Sequence, residues 1–555
     1  MKIKVSELIV RYMERLGVDH VFGMPGAHIL PVYDSLYGSP IQAVLAKHEQ
    51  GAAFMAGGYI RASGKISACV ATAGPGATNL VTGVANAYAD KQPLLIITGE
   101  TPTHIFGRGG LQESSGEGGS IDQVSLFKGI TRYNRVVERT DYLPQVLNQA
   151  SKILLSDSPG PVLLSFPFNI QNERVDPAIL DGIKTTRHVH TPCEASPGIA
   201  DLVALIGQAR QPVIVAGYGC IRAGAQPVIA ALSQHMGIPV ATSLKGKGVI
   251  SEQSPLSLGS LGVTSSGCAY RYIVDHADLV IFLGLGYNER TSYLWDRALT
   301  DGKRVAQVDN DQAQLEKNFL ADVAINVDIH EAVSGVLNKL QHQRRHRPPS
   351  PELLARIEAL NSSENNDYQL FHSGFALIEG FFSRLERAFP QDIIVFDDNI
   401  IFAQNFFNVS SGNRYYPNSG ISSLGHAVPA AIGARFHTDQ PIFTVLGDGG
   451  FQMCCMELMT AVNYHKPLNV VMFNNSSMGL IRKNQFQHYE GRYINCDFVN
   501  PDYRLLAASF GIGYQRIDNE GDLDVLFRDC DLSKSINLIE IMIDKDVFPN
   551  YSSKR

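Results

Sequence analysis

Two short polar clusters in the C-terminal third of the chain carry the strongest chemical message: Gly447-Asp448-Gly449-Gly450 and Asn474-Asn475. Asp448 offers a hard carboxylate oxygen, Asn475 an amide oxygen, and the backbone carbonyl of Ser477 a third donor. That set suits a magnesium ion which itself holds a diphosphate, whose oxygens complete an octahedron with water. One carboxylate is enough where the ligand already brings negative charge. Glycines let the backbone approach phosphates, and a helix N-terminus favours their charge. Either cluster alone is an ordinary turn; the elements between them decide otherwise. The run Ile442–Leu446 is a strand, a helix is expected from near Phe451 to His465, and Pro467 precedes a second strand, Leu468–Phe473. Both clusters then lie at carboxyl ends of parallel strands, where open α/β sheets bind ligands.

A second candidate lies in the N-terminal third. Glu49 follows the apolar run Ile41–Ala46 and opens the helical stretch HEQGAAFMAGGYIRAS. An acid in a first helical turn is favoured by the dipole alone, so position by itself leaves its role open.

The elements that carry these groups repeat one texture. Apolar runs such as Val21-Phe22, Ile66–Thr72, Leu94–Thr98, Pro212–Ala216, Leu279–Leu283, Val305–Val308, Ile393–Phe396 and Leu538–Ile543 alternate with glycine turns and helices. Continuous apolar strands separated by helices imply parallel sheets covered on both faces. The expected fold is α/β, with three doubly wound domains at about 1–170, 190–340 and 365–555. The polar stretches Gln171 to Pro197 and Gln341 to Asp367 read as linkers. A chain of 555 residues exceeds one ordinary core, and fifty glycines suit many strand-to-helix turns. The net charge of −7, without a basic stripe, argues against nucleic acid as the main partner. Eight scattered cysteines with no CxxC pair, Cys193 among them, read as small buried hydrophobes in a reducing compartment. Met1 to Val10 lacks the apolar core of a signal peptide, and no stretch is long enough to span a bilayer. The expectation is a soluble, cytoplasmic protein with no membrane partner.

GDG followed by NN after one βαβ unit, together with the block order, resembles the thiamine-diphosphate enzymes, and most of all the catalytic subunit of acetolactate synthase. The resemblance implies a first domain that binds the pyrimidine ring, a third that binds the diphosphate, and a non-catalytic or flavin-holding domain between them. It implies thiamine diphosphate and magnesium as cofactors, with Asp448, Asn475 and Ser477 on the metal and Gly449, Gly450, Met478 and Gly479 beside the diphosphate. HEQGAA matches the motif whose glutamate, here Glu49, bonds the pyrimidine ring and relays the proton that activates the thiazolium carbon; a buried carboxyl able to hold a proton near neutrality suits that exchange. In NSGISSLGHAVPAAIGAR, Leu424 matches the apolar wedge that bends the cofactor and the Ser422 carbonyl lies near its exocyclic amine. His426, beside the wedge, is open between a structural and a chemical role. Because the family builds its site where the first domain of one subunit meets the third domain of another, a homodimer or dimer of dimers is implied.

The reaction implied is decarboxylation of a 2-oxo acid, pyruvate foremost, and transfer of the two-carbon unit to a 2-oxo acid, ketone or aldehyde. Related simple decarboxylases carry an acid or serine where this chain has Ala27, and paired histidines that are absent here. That favours ligation over protonation; a simple decarboxylase or an acyl-phosphate-forming acetyltransferase are the alternatives. Gln112-Glu113 matches the motif whose glutamine orients the acceptor, with Leu111 in place of phenylalanine and Ser115–Ser120 as an apparent insertion. His28 is positioned to donate to an acceptor oxygen or to serve the structure. Asn484 stands where the synthases carry an acceptor-shaping tryptophan. In the middle block, Gly284 to Arg290 has Gly286 in place of one arginine of the flavin-binding members, and Gly217 to Gly224 is no GxGxxG, so flavin is the weaker expectation.

Overall fold

The computed structural model describes residues 1–186, 197–362, 374–398 and 401–549. Cys193 and parts of both expected linkers lie outside them. Three six-stranded sheets, all parallel, carry the chain. The first contains His20–Gly23, Gln42–Leu45, Ser67–Ala71, Leu94–Glu100, Tyr133–Val136 and Val162–Pro167. The central sheet contains Pro212–Ala216, Val240–Thr242, Ser257–Ser260, Leu279–Leu283, Arg304–Asp309 and Val323–Asn326. Ile394–Asp397, Arg414–Pro417, Ile442–Gly447, Leu468–Asn474, Gly513–Ile517 and Ile536–Met542 make the third.

Counted along the chain, the strands of the first and third sheets share the spatial order 2-1-3-4-6-5, whereas the central sheet has the dinucleotide-fold order 3-2-1-4-5-6. Strands that the apolar runs did not single out include Tyr133–Val136, Ser257–Ser260 and Gly513–Ile517, each at a sheet edge. An edge strand is covered less completely, so its sequence need not be continuously apolar.

The first and third units share a core. One apolar cluster takes in Phe22, Ala56 and Leu80 from the first and Phe396, Ala430 and Leu446 from the third. At its centre two helices cross, Glu49–Ser63 and Ala427–Ala434, each following the second strand of its own sheet. A Cβ on Gly58 would meet the Ala430 carbonyl oxygen at 1.9 Å, and one on Gly433 the Met55 oxygen at 1.8 Å. The small residues of both helices are there to let the backbones touch.

One buried carboxylate ties the units further. Asp90 pairs with Arg61 of the first unit, and with Lys245 of the central unit at 2.5 Å. Although burial works the other way, Lys245 and Arg61 hold the Asp90 carboxyl well below its usual range. The Arg61 carbonyl in turn accepts from the Tyr416 hydroxyl of the third unit at 2.9 Å.

Both expected linkers need correction. Gln171 is fully buried and donates to the carbonyls of His28 and Phe166; Arg174–Val175 pairs antiparallel with Ile3–Lys4; and Leu180 and Ile183 join the first core. In the second, Pro351–Ser362 is a helix whose Ile357 packs on the central core, its start capped by the Ser350 hydroxyl and preceded by Arg347, which donates to the carbonyls of Ala209 and Met236. Polar composition hid docking made by single apolar or hydrogen-bonding residues. Among the described residues no helix is long and apolar enough to cross a membrane.

Candidate active site

The third sheet aligns Gly447 with Phe473, so the turns after strands Ile442–Gly447 and Leu468–Asn474 emerge side by side at one sheet end. The helix expected from Phe451 starts earlier, at Asp448, and runs in pieces: Asp448–Gln452, a 3-10 turn Cys455–Glu457, and Leu458–Asn463. Asp448 opens the first piece, where the helix dipole favours an acid, and the chain leaves helical geometry at Cys454 (φ −139°).

Asp448 is 1% exposed. Its Oδ1 accepts from Gly449 N at 3.0 Å; its Oδ2 accepts from Ser476 N at 2.7 Å and from Asn500 Nδ2 at 2.8 Å. Burial pushes its carboxyl above the ordinary value against these hydrogen bonds. The Asn475 amide oxygen accepts from Ser477 N, and a strap at 496–500 binds the turn from below through Cys496 O, which accepts from Ser477 Oγ and Met478 N. Ser476 sits in the left-handed region (φ +53°). Side chains pack directly on two of these glycines: a Cβ on Gly449 would meet Met478 Sδ at 2.6 Å, and one on Gly479 the Asn475 Nδ2 at 2.8 Å.

Leu424, Asp448, Gly449, Gly450, Asn475, Ser477, Met478 and Gly479 line one cavity of about 290 Å³, together with Asp398, Phe402 and Lys545. Ser422, two residues before the wedge and left-handed at φ +55°, is not among its lining residues. Neither is Asn484, although Leu480 and Ile481 of the same helix are. Among the described residues no group of three or more His, Cys, Asp or Glu side chains could chelate a metal alone. The donor set of Asp448, Asn475 and Ser477 fits magnesium only when a ligand supplies further oxygens, and Gly447 and Gly450, where an added Cβ would meet nothing nearer than 3.8 Å, leave room for a diphosphate against the backbone.

The first-unit residues gather elsewhere. Glu49 starts its helix, is 8% exposed, and its Oε2 accepts from Asn79 Nδ2 at 2.9 Å. Thr72 stands beside it through Gly76, whose added Cβ would lie 2.8 Å from Thr72 Cγ2 and 3.5 Å from Glu49 Oε1. Thr72 Oγ1 also accepts from His28 N and donates to Gln112 Oε1, and His28 Nδ1 lies 3.3 Å from the same oxygen. Thus Glu49, His28 and Gln112 form one neighbourhood around Thr72. Gln112 is held left-handed (φ +56°) in a loop organised by Glu113, which accepts from Gly107 N, Gly109 N, Gly110 N and Ser115 Oγ. The cradle cavity draws all its lining residues from 375–549 and none from this neighbourhood.

Sequence reasoning missed several residues here, Thr72 and Asp398 among them. Asn500 buttresses Asp448 from far along the chain, and Asn79 bonds Glu49. Glu457, 3% exposed, accepts from the backbone N–H groups of Lys47 and His48 and from Thr460 Oγ1, so a third-unit carboxylate grips the start of the Glu49 helix. A Cβ on Gly51 would stand 2.1 Å from Glu457 Oε1. Asn79 and Gly51 lie near the Glu49 motif and a turn signal marks Asn500, but nothing local marks Glu457.

A second cavity, about 320 Å³, opens at the carboxyl ends of central strands Pro212–Ala216 and Leu279–Leu283, where the central strand order reverses. Gly284–Asn288, Arg222 and Asp309 line it, with Asp90 and Lys91 from the first unit and Ser419 and Gly420 from the third.

Comparison with known proteins places three family models along the chain: the N-terminal TPP binding domain of thiamine pyrophosphate enzymes at 3–125, their central domain at 199–336, and their C-terminal TPP binding domain at 399–541. The chain is 32% identical to the probable acetolactate synthase large subunit of Methanocaldococcus jannaschii, over 98% of this chain and 92% of that protein. It is 30% identical to the probable acetolactate synthase large subunit of Methanococcus aeolicus, over 97% and 92%, and 31% identical to the acetolactate synthase large subunit of Corynebacterium glutamicum, over 91% and 81%.

Proposed function

The chain belongs to the thiamine pyrophosphate enzymes, and on that footing we propose that it decarboxylates a 2-oxo acid, pyruvate foremost, and joins the two-carbon unit to a carbonyl acceptor. Full-length relatives that carry the acetolactate synthase name support this choice of reaction. Thiamine diphosphate when bound supplies the electron sink for the decarboxylation. The chain's own residues supply geometry and proton traffic.

Asp448, Asn475 and the Ser477 carbonyl would hold magnesium, and the glycines around them would let the diphosphate lie against the backbone. Leu424, which lines the cavity, would prop the cofactor's rings. Glu49 holds and passes a proton at its carboxyl, and Asn79 keeps that carboxyl aimed. Gln112, held by Thr72 and His28, presents its amide to the acceptor. The observation that carries this reading is the division of labour: one chain bears a metal–diphosphate cradle and a separate buried glutamate with acceptor-side polar groups. A second copy of the chain completes the site, so a homodimer or dimer of dimers is the working form. Large apolar side chains are exposed in both units, among them Leu45, Leu111 and Ile121 of the first and Met456, Ile481 and Phe486 of the third, and a partner copy would cover such residues. The central cavity is where a flavin would lie; the proposed reaction transfers no net electrons and gives flavin no step.

The test is product analysis with pyruvate, thiamine diphosphate, magnesium and a panel of 2-oxo acid, ketone and aldehyde acceptors. Acetolactate or a mixed acyloin is the expected product. Free acetaldehyde as the main product would replace carboligation with simple decarboxylation, and acetyl phosphate in the presence of phosphate would indicate acyl transfer.

A further inference from the structure

We propose that Asp398 and His426 act as one coupled positioning pair that fixes Leu424, and the loop that carries it, against the bound cofactor; this rests on the reading of the cavity given above. Asp398 follows strand Ile394–Asp397 at the sheet's carboxyl end and lines the cradle cavity. Its side chain is turned inward and 1% exposed. Oδ2 accepts from Ala427 N at 2.9 Å, while Oδ1 stands 3.5 Å from His426 Nδ1. His426 is completely buried, and among the described residues neither of its ring nitrogens, nor Asp398 Oδ1, makes a hydrogen bond. The His426 ring also meets the Phe54 ring edge-on at 5.1 Å, and Phe54 belongs to the helix that Glu49 opens.

The histidine therefore touches three parts of the machinery: the wedge loop, the end of a central strand and the Glu49 helix. The wedge loop needs such a hold. Ser422 and Gly425, on either side of Leu424, are both left-handed, at φ +55° and +81°. Little else in the loop binds it to the sheet except Asn418, whose backbone N–H donates to Asp397 O and whose side chain donates to Ser423 O. Asp398 closes the far end, clasping Ala427 N and facing His426.

Interior polar groups without hydrogen bonds are costly, and removing one member of a buried pair leaves the other uncompensated. A space-filling role would be served as well by an apolar ring at 426 and an apolar side chain at 398. The two polar groups instead oppose each other, Asp398 lining the cavity and His426 fully buried two residues beyond the wedge. They face each other across 3.5 Å, and the loop's place depends on both.

The test is a cycle of Asp398→Val, His426→Phe and the double variant. It is read by deuterium exchange at the thiazolium C2 proton of bound thiamine diphosphate, by cofactor Kd and by melting temperature. Each single change is expected to slow exchange by about tenfold, equivalent to about 1.4 kcal/mol on its barrier. Cofactor Kd should stay near the wild-type value, and the double variant should exchange no more slowly than the worse single. Wild-type exchange in either single, independent slowing that multiplies in the double, or slowing that only tracks lost cofactor affinity would each overturn the pair. If Asp398→Val does not fold, Asp398→Asn keeps an acceptor for Ala427 N while removing the charge, and wild-type exchange in that variant is equally fatal. Failure of the wild-type protein itself to accelerate exchange over free cofactor would instead overturn the cofactor reading, so the two failures are distinguishable.

Discussion

Strand Ser67–Ala71 of the first unit and strand Ile442–Gly447 of the third hold the same place in sheets of the same order, yet the turns that leave them do different work. The first turn, Thr72 to Gly76, closes on its own neighbourhood: Gly26 and Gly76 press against Thr72, and Gly74 N donates to Ser114 Oγ. The third turn, Gly447 to Gly450, stays open and sets a single buried carboxylate at a cavity. The helices after each second strand differ likewise. One begins with Glu49, the other follows the wedge loop, and the two are crossed against each other. On the proposed reading, a shared scaffold thus accommodates a proton-handling half and an anion-holding half, distinguished by a few loop residues. The difference lives in the turns, as expected when function is grafted onto a fold.

Disabling the first half should have the largest effect. Glu49→Gln is expected to lower kcat by about 10²–10⁴-fold, the usual worth of a placed acid–base group, while thiamine diphosphate still binds. Steady-state kinetics beside a cofactor titration checks this, and near-normal turnover would remove Glu49 from the chemistry. Disabling the third half should act on binding instead. Wild-type protein at cofactor concentrations of about 100 Kd should gain about 2.7 kcal/mol of stability, and Asp448→Ala should abolish that gain. Thermal melts with and without magnesium and thiamine diphosphate measure it; an undiminished gain would disown the cradle.

How far each half was legible in the sequence follows from the range of the interactions that make it. Gly447–Gly450, Asn474-Asn475 and the helix start at Glu49 were readable because turn and helix-start chemistry is local. The parallel strands were readable where they are central and continuously apolar. Glu457, Asn500 and the Asp398–His426 pair were not, because each has its meaning in a partner distant along the chain. The docked helix Pro351–Ser362 escaped because its neighbours Arg344, Arg345 and His346 look like a solvated linker.

The smallest expected effect concerns the contact between the halves. Burial, opposed by hydrogen bonds from Lys47 N, Thr460 and His48 N, raises the Glu457 carboxyl above its ordinary value of 4.5. A raised acid binds its proton more tightly in the folded protein, so its contribution to stability is fully present below the ordinary value and is lost as pH rises through the raised one. Glu457→Gln removes that titration. The stability of wild type relative to the variant should therefore fall with rising pH across this window, as followed by urea denaturation at a series of pH values. A gap that instead grows with pH would contradict the assignment.

Asp90 shows why the repeated units cannot be treated as separable modules. Its carboxylate answers cations from two units at once, and Arg61, one of those cations, passes the connection to the third through its own carbonyl. An excised first unit would keep Arg61 with Asp90 but expose to water a surface built for Lys245, while the remainder would lose the buried anion that this lysine faces. The units accordingly interlock as one structure, and the strand order that the first and third share does not make either of them independent.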